Sequence, residues 1–434
     1  MLLLYFNFFL KVIKIKLPYK SNKSLSHLNI NMNTQKFFNP FIIFFLVFPG
    51  GISQGFLTVA LPYLLTQQGF SVAETAGIIA IGFSANLFRF LWGPVVDISL
   101  SLKKWYWIGL FACISTLLLL CYATFGVKGV VLLSIIAFVS QVAATFTLLP
   151  VNGFMAHCIE DSKKGIASGW YQAGSLAGVG FGGGVGLWLA THYSVIIAGL
   201  VLGAVSIVFA FSILLVKDIQ SNTEKKVLHE LSRMGMDVFA MLKVPTTLFV
   251  IILLCFPIGS GAAANLWSAI AQEWKIDSDT VALVTGILSG LVSAVGCIVG
   301  GLIVDRWGVW TAYFGSGAIC AFITLIIAVM PLQPIVFIGG VLVYTFGIGL
   351  INSACTSVIL FAAGKKNVVT KFSLLISLAN FPVIYMIAFD GWVHDKYNSR
   401  YMLLAEAAIG FLSVLLLFWV LQKMQHKNLI SSLA

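Results

Sequence analysis

Twelve long apolar runs, each parted from the next by a short polar break, constrain this chain more than any other feature of its sequence. They cover residues 40–66, 72–96, 105–125, 129–156, 166–191 and 194–216, then 246–272, 280–304, 308–329, 334–362, 368–389 and 402–421. A helix that crosses a bilayer takes about 20 apolar residues, and every run reaches that length. Barrel strands are shorter and alternate in polarity, so the runs predict an all-α polytopic membrane protein with twelve transmembrane helices. Only 9% of the 434 residues are charged, against about 25% in a soluble domain, which excludes a single water-facing globule. A disordered chain carries the opposite bias.

The charges sort by loop. Lys36, Lys103, Lys104, Lys163, Lys164, Lys217, Lys225, Lys226, Arg233, Lys243, Arg306, Lys365, Lys366, Lys423 and Lys427 fall on one side of the twelve runs. Only Lys128, Lys275, Lys396 and Arg400 fall on the other. Positive loops are retained inside, so both termini and the central loop are expected in the cytoplasm. The formal net charge is +11, but no basic patch interleaved with aromatics stands outside the apolar runs, and nucleic acid is not an expected partner. The expected partners are the lipid bilayer and a small solute.

The longest internal break, 217–245, divides the runs six and six. The expected organisation is an N-terminal extension (1–39), a six-helix half (40–216), a cytoplasmic linker (217–245), a second half (246–421) and a cytoplasmic tail (422–434). Within the linker Val227, Leu231, Met234, Val238 and Leu242 recur at helical spacing, the pattern of an amphipathic helix lying along the membrane surface. The first 31 residues hold five lysines and no acid, and their apolar run precedes the basic one, the reverse of a secretory signal. Translation is therefore expected to start at Met32; an intact mass that includes residues 1–31 refutes this. The seven cysteines are scattered, six of them inside apolar runs, and no two form CxxC. They read as small buried hydrophobes, and neither a metal nor another cofactor is expected.

The two halves echo each other at a constant offset. Phe48-Pro49 matches Phe256-Pro257, and Gly93-Pro94-Val95-Val96-Asp97 matches Gly301-Leu302-Ile303-Val304-Asp305, which marks an internal duplication. Gly301-x-x-x-Asp305-Arg306-x-Gly308 resembles the signature that the major facilitator superfamily carries between its second and third spans. The first-half copy departs from it, because Ile98 follows Asp97. The resemblance implies a gating role for Gly301, Asp305 and Arg306, and for Gly93 and Asp97 in the eroded copy. It also implies paired six-helix halves around a central site, alternating access and a monomer. Leu61-Pro62-Tyr63-Leu64, Gly69-Phe70-Ser71 and Phe90-Leu91-Trp92-Gly93-Pro94-Val95-Val96-Asp97 are similar to the peptide–acetyl-CoA transporter branch, which includes the AmpG-like muropeptide permeases of the inner membrane.

Polar residues inside spans are functional candidates because they are expensive there. Gly82, Asn86, Arg89, Gly93 and Asp97 follow helical steps along one face of the second run. Arg89 offers a bidentate site for carboxylate or phosphate; pairing with Asp97 or snorkelling is the structural alternative. Lys371, a turn into the eleventh run, either draws anions inward or snorkels. Gln54 and Thr58 in the first run lie above Pro49, Gly50 and Gly51, which permit an irregular helix. Gln141, Thr145 and Asn152 mark the fourth, Gly261, Asn265, Ser268 and Gln272 beside Trp267 the seventh, and Thr345, Gly349, Asn352 and Thr356 the tenth. The resemblance makes these four spans the lining of the cavity; taken singly, each residue is equally an interhelical hydrogen bond. Tyr171 and Gln172, with Trp170, form an aromatic shelf for substrate or an interfacial belt. Glu74, Asp390 and Glu406 fall near outer span ends, so a mid-membrane carboxylate relay is not expected. Glu406, a turn deep, is the coupling candidate or a helix-end residue, and proton coupling itself comes only from the resemblance.

Gly178-Val179-Gly180-Phe181-Gly182-Gly183 satisfies the dinucleotide pattern G-x-G-x-x-G, yet no strand precedes it and no acid follows until Asp218. Gly174, Gly178, Gly182 and Gly186 instead form a ridge for close helix contact. No Walker sequence occurs. The expected function is secondary transport of a small organic, anionic or carboxylate-bearing solute, and not enzymatic catalysis. The alternative is a polytopic membrane enzyme with a cytoplasmic-face site at His157, Cys158, Glu160 and Asp161.

Overall fold

The computed structural model of the protein describes residues 38–126, 129–159, 164–218, 243–363 and 368–426. Residues 1–31, most of the 217–245 linker and the chain beyond 426 lie outside these. Among the described residues all regular structure is helical. Ten helices among the described residues are long and apolar enough to cross a membrane, and two shorter apolar ones, Val72–Leu87 and Pro245–Cys255, stand at the second and seventh positions.

The first span runs Ile42–Gln67, the third Leu102–Gly126, the fourth Val130–Cys158 and the sixth Val195–Ala210 with a 3₁₀ extension, Phe211–Leu215. The fifth comprises Lys164–Gly180, Phe181–Val185 and Gly186–His192. In the second half the eighth runs Ser278–Trp307, the ninth Val309–Val329, the tenth Pro334–Ala363 and the twelfth Ser399–His426. Three spans are broken. The second restarts as Arg89–Ser99 after Phe88, the eleventh divides at Asn380 into Val368–Ala379 and Phe381–Lys396, and the seventh gives way after Cys255 to short turns up to Trp274. Ser71 starts the second span: its hydroxyl accepts from the Glu74 amide at 3.1 Å, and the Glu74 carboxylate accepts from the Ser71 amide at 2.9 Å. This reciprocal cap gives Glu74 a local task.

The duplication is not conformationally symmetric. Phe256-Pro257 ends its helix, whereas Pro49 sits inside the unbroken helix Ile42–Gly55. The irregularity expected above Pro49 appears further on, as a widened π turn at Phe56–Ala60. Gly50 and Gly51 serve packing: a methyl on Gly51 would lie 2.5 Å from the Ser175 carbonyl oxygen, and one on Gly50 would lie 2.7 Å from the Leu148 side chain.

The fifth-span ridge meets the first span along its length. Methyl groups on Gly174, Gly178 and Gly182 would lie 2.4, 2.4 and 2.1 Å from the carbonyl oxygens of Phe44, Phe48 and Ile52. The opposite face of the same segment crosses to the other half: one on Gly184 would lie 2.7 Å from the Ala282 carbonyl oxygen, and one on Gly286 2.5 Å from the Gly184 Cα. Two glycine faces on one helix, not a phosphate loop, account for the dinucleotide-like pattern.

The first span starts and the twelfth ends on one face, the terminal face; the other is the far face. The halves close against each other mainly on the far side. There Phe381–Lys396 packs along Val72–Leu87, with Gly391 seated on Ala73 and Ala76, and the widened turns Phe181–Val185 and Ala282–Leu288 interlock. His192 reaches Asp279 at 3.7 Å across the same seam. Toward the terminal face, Arg89–Ser99 and Val368–Ala379 touch more lightly.

Candidate functional site

The break at Phe88 (φ −88°, ψ 0°) makes Arg89 the first residue of the lower helix. It also kinks the polar stripe read from the sequence. Gly82 packs against Leu57, and Asn86 and Arg89 are half-buried, while a methyl on Gly93 would meet nothing within 4 Å. The Arg89 Nη2 donates to the Tyr171 hydroxyl at 3.1 Å, and Arg89 forms no ion pair among the described residues. Its guanidinium fork has the shape to bind a planar anion. The exposed Gln172 neighbours Tyr171 on the fifth span. The backbones of Asp97 and Lys371 belong to Arg89–Ser99 and Val368–Ala379, the pair that meets across the halves; their side chains lie outside the described ones.

The fourth and tenth spans repeat one design. Deep in the fourth, Gln141 donates to the Ser53 hydroxyl at 3.3 Å, and deep in the tenth Thr345 donates to the Ser289 hydroxyl at 3.4 Å. Two or three turns nearer the terminal face, on the same stripes, Asn152 and Asn352 are exposed. Gln141 thus ties two helices together, whereas the side chains of the two asparagines make no hydrogen bond among the described residues. In the first span Thr58 is buried and donates to the Gln54 carbonyl oxygen at 3.0 Å, leaving the half-buried Gln54 side chain as the more available group.

The seventh span departs from expectation. Because its helix stops at Cys255, Gly261, Asn265, Ser268 and Gln272 do not share one helical face. Gly259 and Gly261 take φ of +58° and +72°, conformations that glycine adopts without strain. Asn265 turns to its own backbone, donating to the Gly261 and Ala262 carbonyl oxygens. Trp267 is 1% exposed and packs edge-on against Phe337 and Tyr344. Asn265 and Trp267 are both buried.

Behind Trp267 lies a polar cluster. The Tyr344 hydroxyl donates to Glu406 Oε1 at 2.8 Å, and the Ala263 amide of the unwound seventh span also points to this carboxylate. Asp390 of the eleventh span lies within electrostatic reach of Glu406. Asp390 is 0% exposed and Glu406 8%. Both Asp390 oxygens and Glu406 Oε2 are sealed and have no hydrogen-bond partner, as do the Trp267 indole N–H and the Ser268 hydroxyl. Sequence reading placed Asp390 and Glu406 near span ends, which is correct along the helix axis, but gave Asp390 no role. Its full burial comes from packing between distant spans, which no local pattern announces.

The sequence profile of the Major Facilitator Superfamily matches residues 43–378. The chain belongs to the Major Facilitator Superfamily. It is accordingly a transporter of that superfamily, with the superfamily's all-helical, multi-pass membrane fold. A POT family transporter solved with a thioalcohol-conjugated peptide superposes with a TM-score of 0.70 at 11% identity, covering 89% of this chain and 96% of that one. A mutant of the nucleoside transporter NupG gives 0.67 at 15% identity (88% and 99% covered), and a D-xylose–proton symporter gives 0.66 at 12% (87% and 96% covered). At these identities the likeness is one of fold. No curated protein matches the sequence.

The superfamily signature occupies the terminal end of the eighth span. A methyl on Gly301 would make only ordinary contact with Ser353, while Asp305 and Arg306 are exposed and engage no partner among the described residues. Gly308, at φ +82°, ends the helix immediately after them. Of the enzyme-like cluster, Cys158 is buried; the His157 side chain, Glu160 and Asp161 lie outside the described residues.

Proposed function

We propose that this superfamily transporter is a secondary active one that carries a small organic anion by alternating access, with Arg89 as its anion-binding group. The observation that carries this reading is the half-buried guanidinium at a helix break, bonded to one hydroxyl and paired with no acid among the described residues. Tyr171, Gln172, Asn86, Gln54, Asn152 and Asn352 supply neutral polar contacts around the same opening, and Lys371 adds a second cation. Gly93, Asp97, Gly301, Asp305 and Arg306 form the terminal-face gate. The proposed setting is the inner membrane, as a monomer with both termini cytoplasmic, in keeping with the loop charges. The motifs in the first two spans favour the AmpG-like branch, and with it a carboxylate-bearing substrate. The drive is proposed to be a proton taken up at Glu406.

Thermal unfolding of the purified protein across muropeptides, acyl-CoA, sugar phosphates, simple carboxylates and neutral sugars tests the anion site. An anion that stabilises the parent but not Arg89→Ala, and that the parent alone accumulates in proteoliposomes, supports it. Stabilisation by a neutral sugar only, equal in the variant, refutes it.

A further inference from the structure

The far face carries a charged patch that the transport reading leaves unused. The breaks on that side hold four cations, Lys128, Lys275, Lys396 and Arg400, and two of these stand within one five-residue stretch where the eleventh span hands over to the twelfth. The positive-inside pattern keeps such loops poor in cations, so a close pair stands out.

Both cations are held by neutral groups. The Lys396 Nζ lies 5.2 Å from the centre of the Trp392 ring and 5.5 Å from that of Tyr397, within range of attraction to both rings. The Arg400 Nη2 donates to the Met330 carbonyl oxygen at 3.4 Å, at the end of the ninth span. The Tyr397 and Tyr401 rings, 5.4 Å apart, join the two sites into one patch. Rings and carbonyls steady a cation without cancelling its charge. The acids nearby are committed elsewhere: Glu273 and Asp395 share the two ring nitrogens of His394, and neither Lys396 nor Arg400 forms an ion pair among the described residues. The first amides of the twelfth span are also engaged, the Ser399 amide by Glu273 and the Tyr401 amide by the Asn398 side chain at 3.1 Å. An anion here is therefore met by two exposed side chains and not by the helix end.

The surface beneath the cations favours a lipid. Trp392, Tyr397 and Tyr401 are exposed, and rings of this kind settle at headgroup depth. Ala408, Leu412, Leu415 and Trp419 continue an exposed stripe from Tyr401 along the twelfth span at helical steps. Phe322, Ile326 and Val329 do the same on the ninth, which packs beside it. A soluble anion would gain nothing from these stripes, whereas acyl chains would lie along them while the phosphate met the cations.

We propose that Lys396 and Arg400, framed by Trp392, Tyr397 and Tyr401, bind the headgroup of an anionic phospholipid in the far leaflet, with its acyl chains along the ninth and twelfth spans. The site is separate from Arg89 and does not depend on what the transporter carries.

Fluorescence of the full chain in phosphatidylcholine vesicles tests it. The signal of Trp392, taken as the difference between each protein and its Trp392→Phe counterpart, is followed as brominated phosphatidylglycerol is added. Quenching in the parent is expected to half-saturate at a mole fraction about thirtyfold below that in Lys396→Gln/Arg400→Gln, the product of about fivefold for each cation. The exchange Lys396→Arg/Arg400→Lys, which keeps both charges, is expected to follow the parent. Both side chains are exposed, so these variants are expected to fold as the parent does. Equal half-saturation in the parent and the charge-removed variant, or equal quenching of the parent by brominated phosphatidylcholine, overturns the proposal. So does reversal by inorganic phosphate but not by chloride at equal ionic strength, which would make the patch a site for a free anion.

Discussion

At the scale of single residues, glycine decides more of this structure than any charged group. A methyl on Gly182 would sit 2.1 Å from the Ile52 carbonyl oxygen, and backbone on both sides cannot give way, whereas one on Gly77 would meet nothing within 4 Å. Gly182→Ala is expected to cost at least about 3 kcal/mol by overpacking. Gly77→Ala, on the same criterion, should stay within about 0.5 kcal/mol. Thermal unfolding in one detergent compares them, and equal midpoints would refute the packing account. The fifth-span ridge was legible because its spacing of four is a property of the helix itself. The burial of Asp390 was not: six residues from a helix end, an acid reads as interfacial, and only packing between distant spans makes it internal. The shared helical face read for Asn265 and its neighbours presumed a helix that ends at Cys255, ahead of Pro257, Gly259 and Gly261.

At the scale of elements, the breaks fall in the spans that meet across the halves or flank the acid cluster. The second and eleventh spans, partners along the far seam, break at Phe88 and Asn380, and the seventh is anchored beyond its own end. There Glu273 is bonded to His394 of the eleventh span and accepts from the Ser399 amide at 3.4 Å at the start of the twelfth. Burial pushes the Glu273 carboxyl up, but hydrogen bonds from His394 and Ser399 and the nearby His394 charge outweigh it and hold it below its ordinary 4.5. A depressed carboxyl stabilises the fold above its unfolded value and loses that contribution as pH falls through the folded one. The unfolding midpoint of the parent is therefore expected to drop below pH 4.5 more steeply than that of Glu273→Gln. Parallel pH profiles would show that this tie contributes nothing. The twelve runs themselves were readable from composition and length; the breaks were not, because an apolar run looks the same whether or not its helix is continuous.

At the scale of the whole molecule, the halves form one closed face and one lightly held face. Enlarging Gly391 should wedge the closed face, since its neighbours Ala73 and Val72 present backbone atoms about as close as packing permits. Gly391→Leu is expected to increase labelling of a Ser278→Cys reporter by a membrane-impermeant maleimide, relative to the reporter alone. Unchanged labelling would mean that the seam is not what shuts the far side. The two-half plan was legible in the repeated Gly-x-x-x-Asp segments at a fixed offset. Which face is shut was not, because both copies carry the same letters and only the packing distinguishes them.

Where Gly184 and Gly286 meet, the far seam is main chain laid on main chain. Such a surface has no rotamers to rearrange and nothing protruding for a small molecule to grip. A blocker approaching from the far side would find little purchase at that contact while the molecule rests in this state. On the reading proposed above, a blocker would instead have to engage Arg89 or the exposed asparagines 152 and 352.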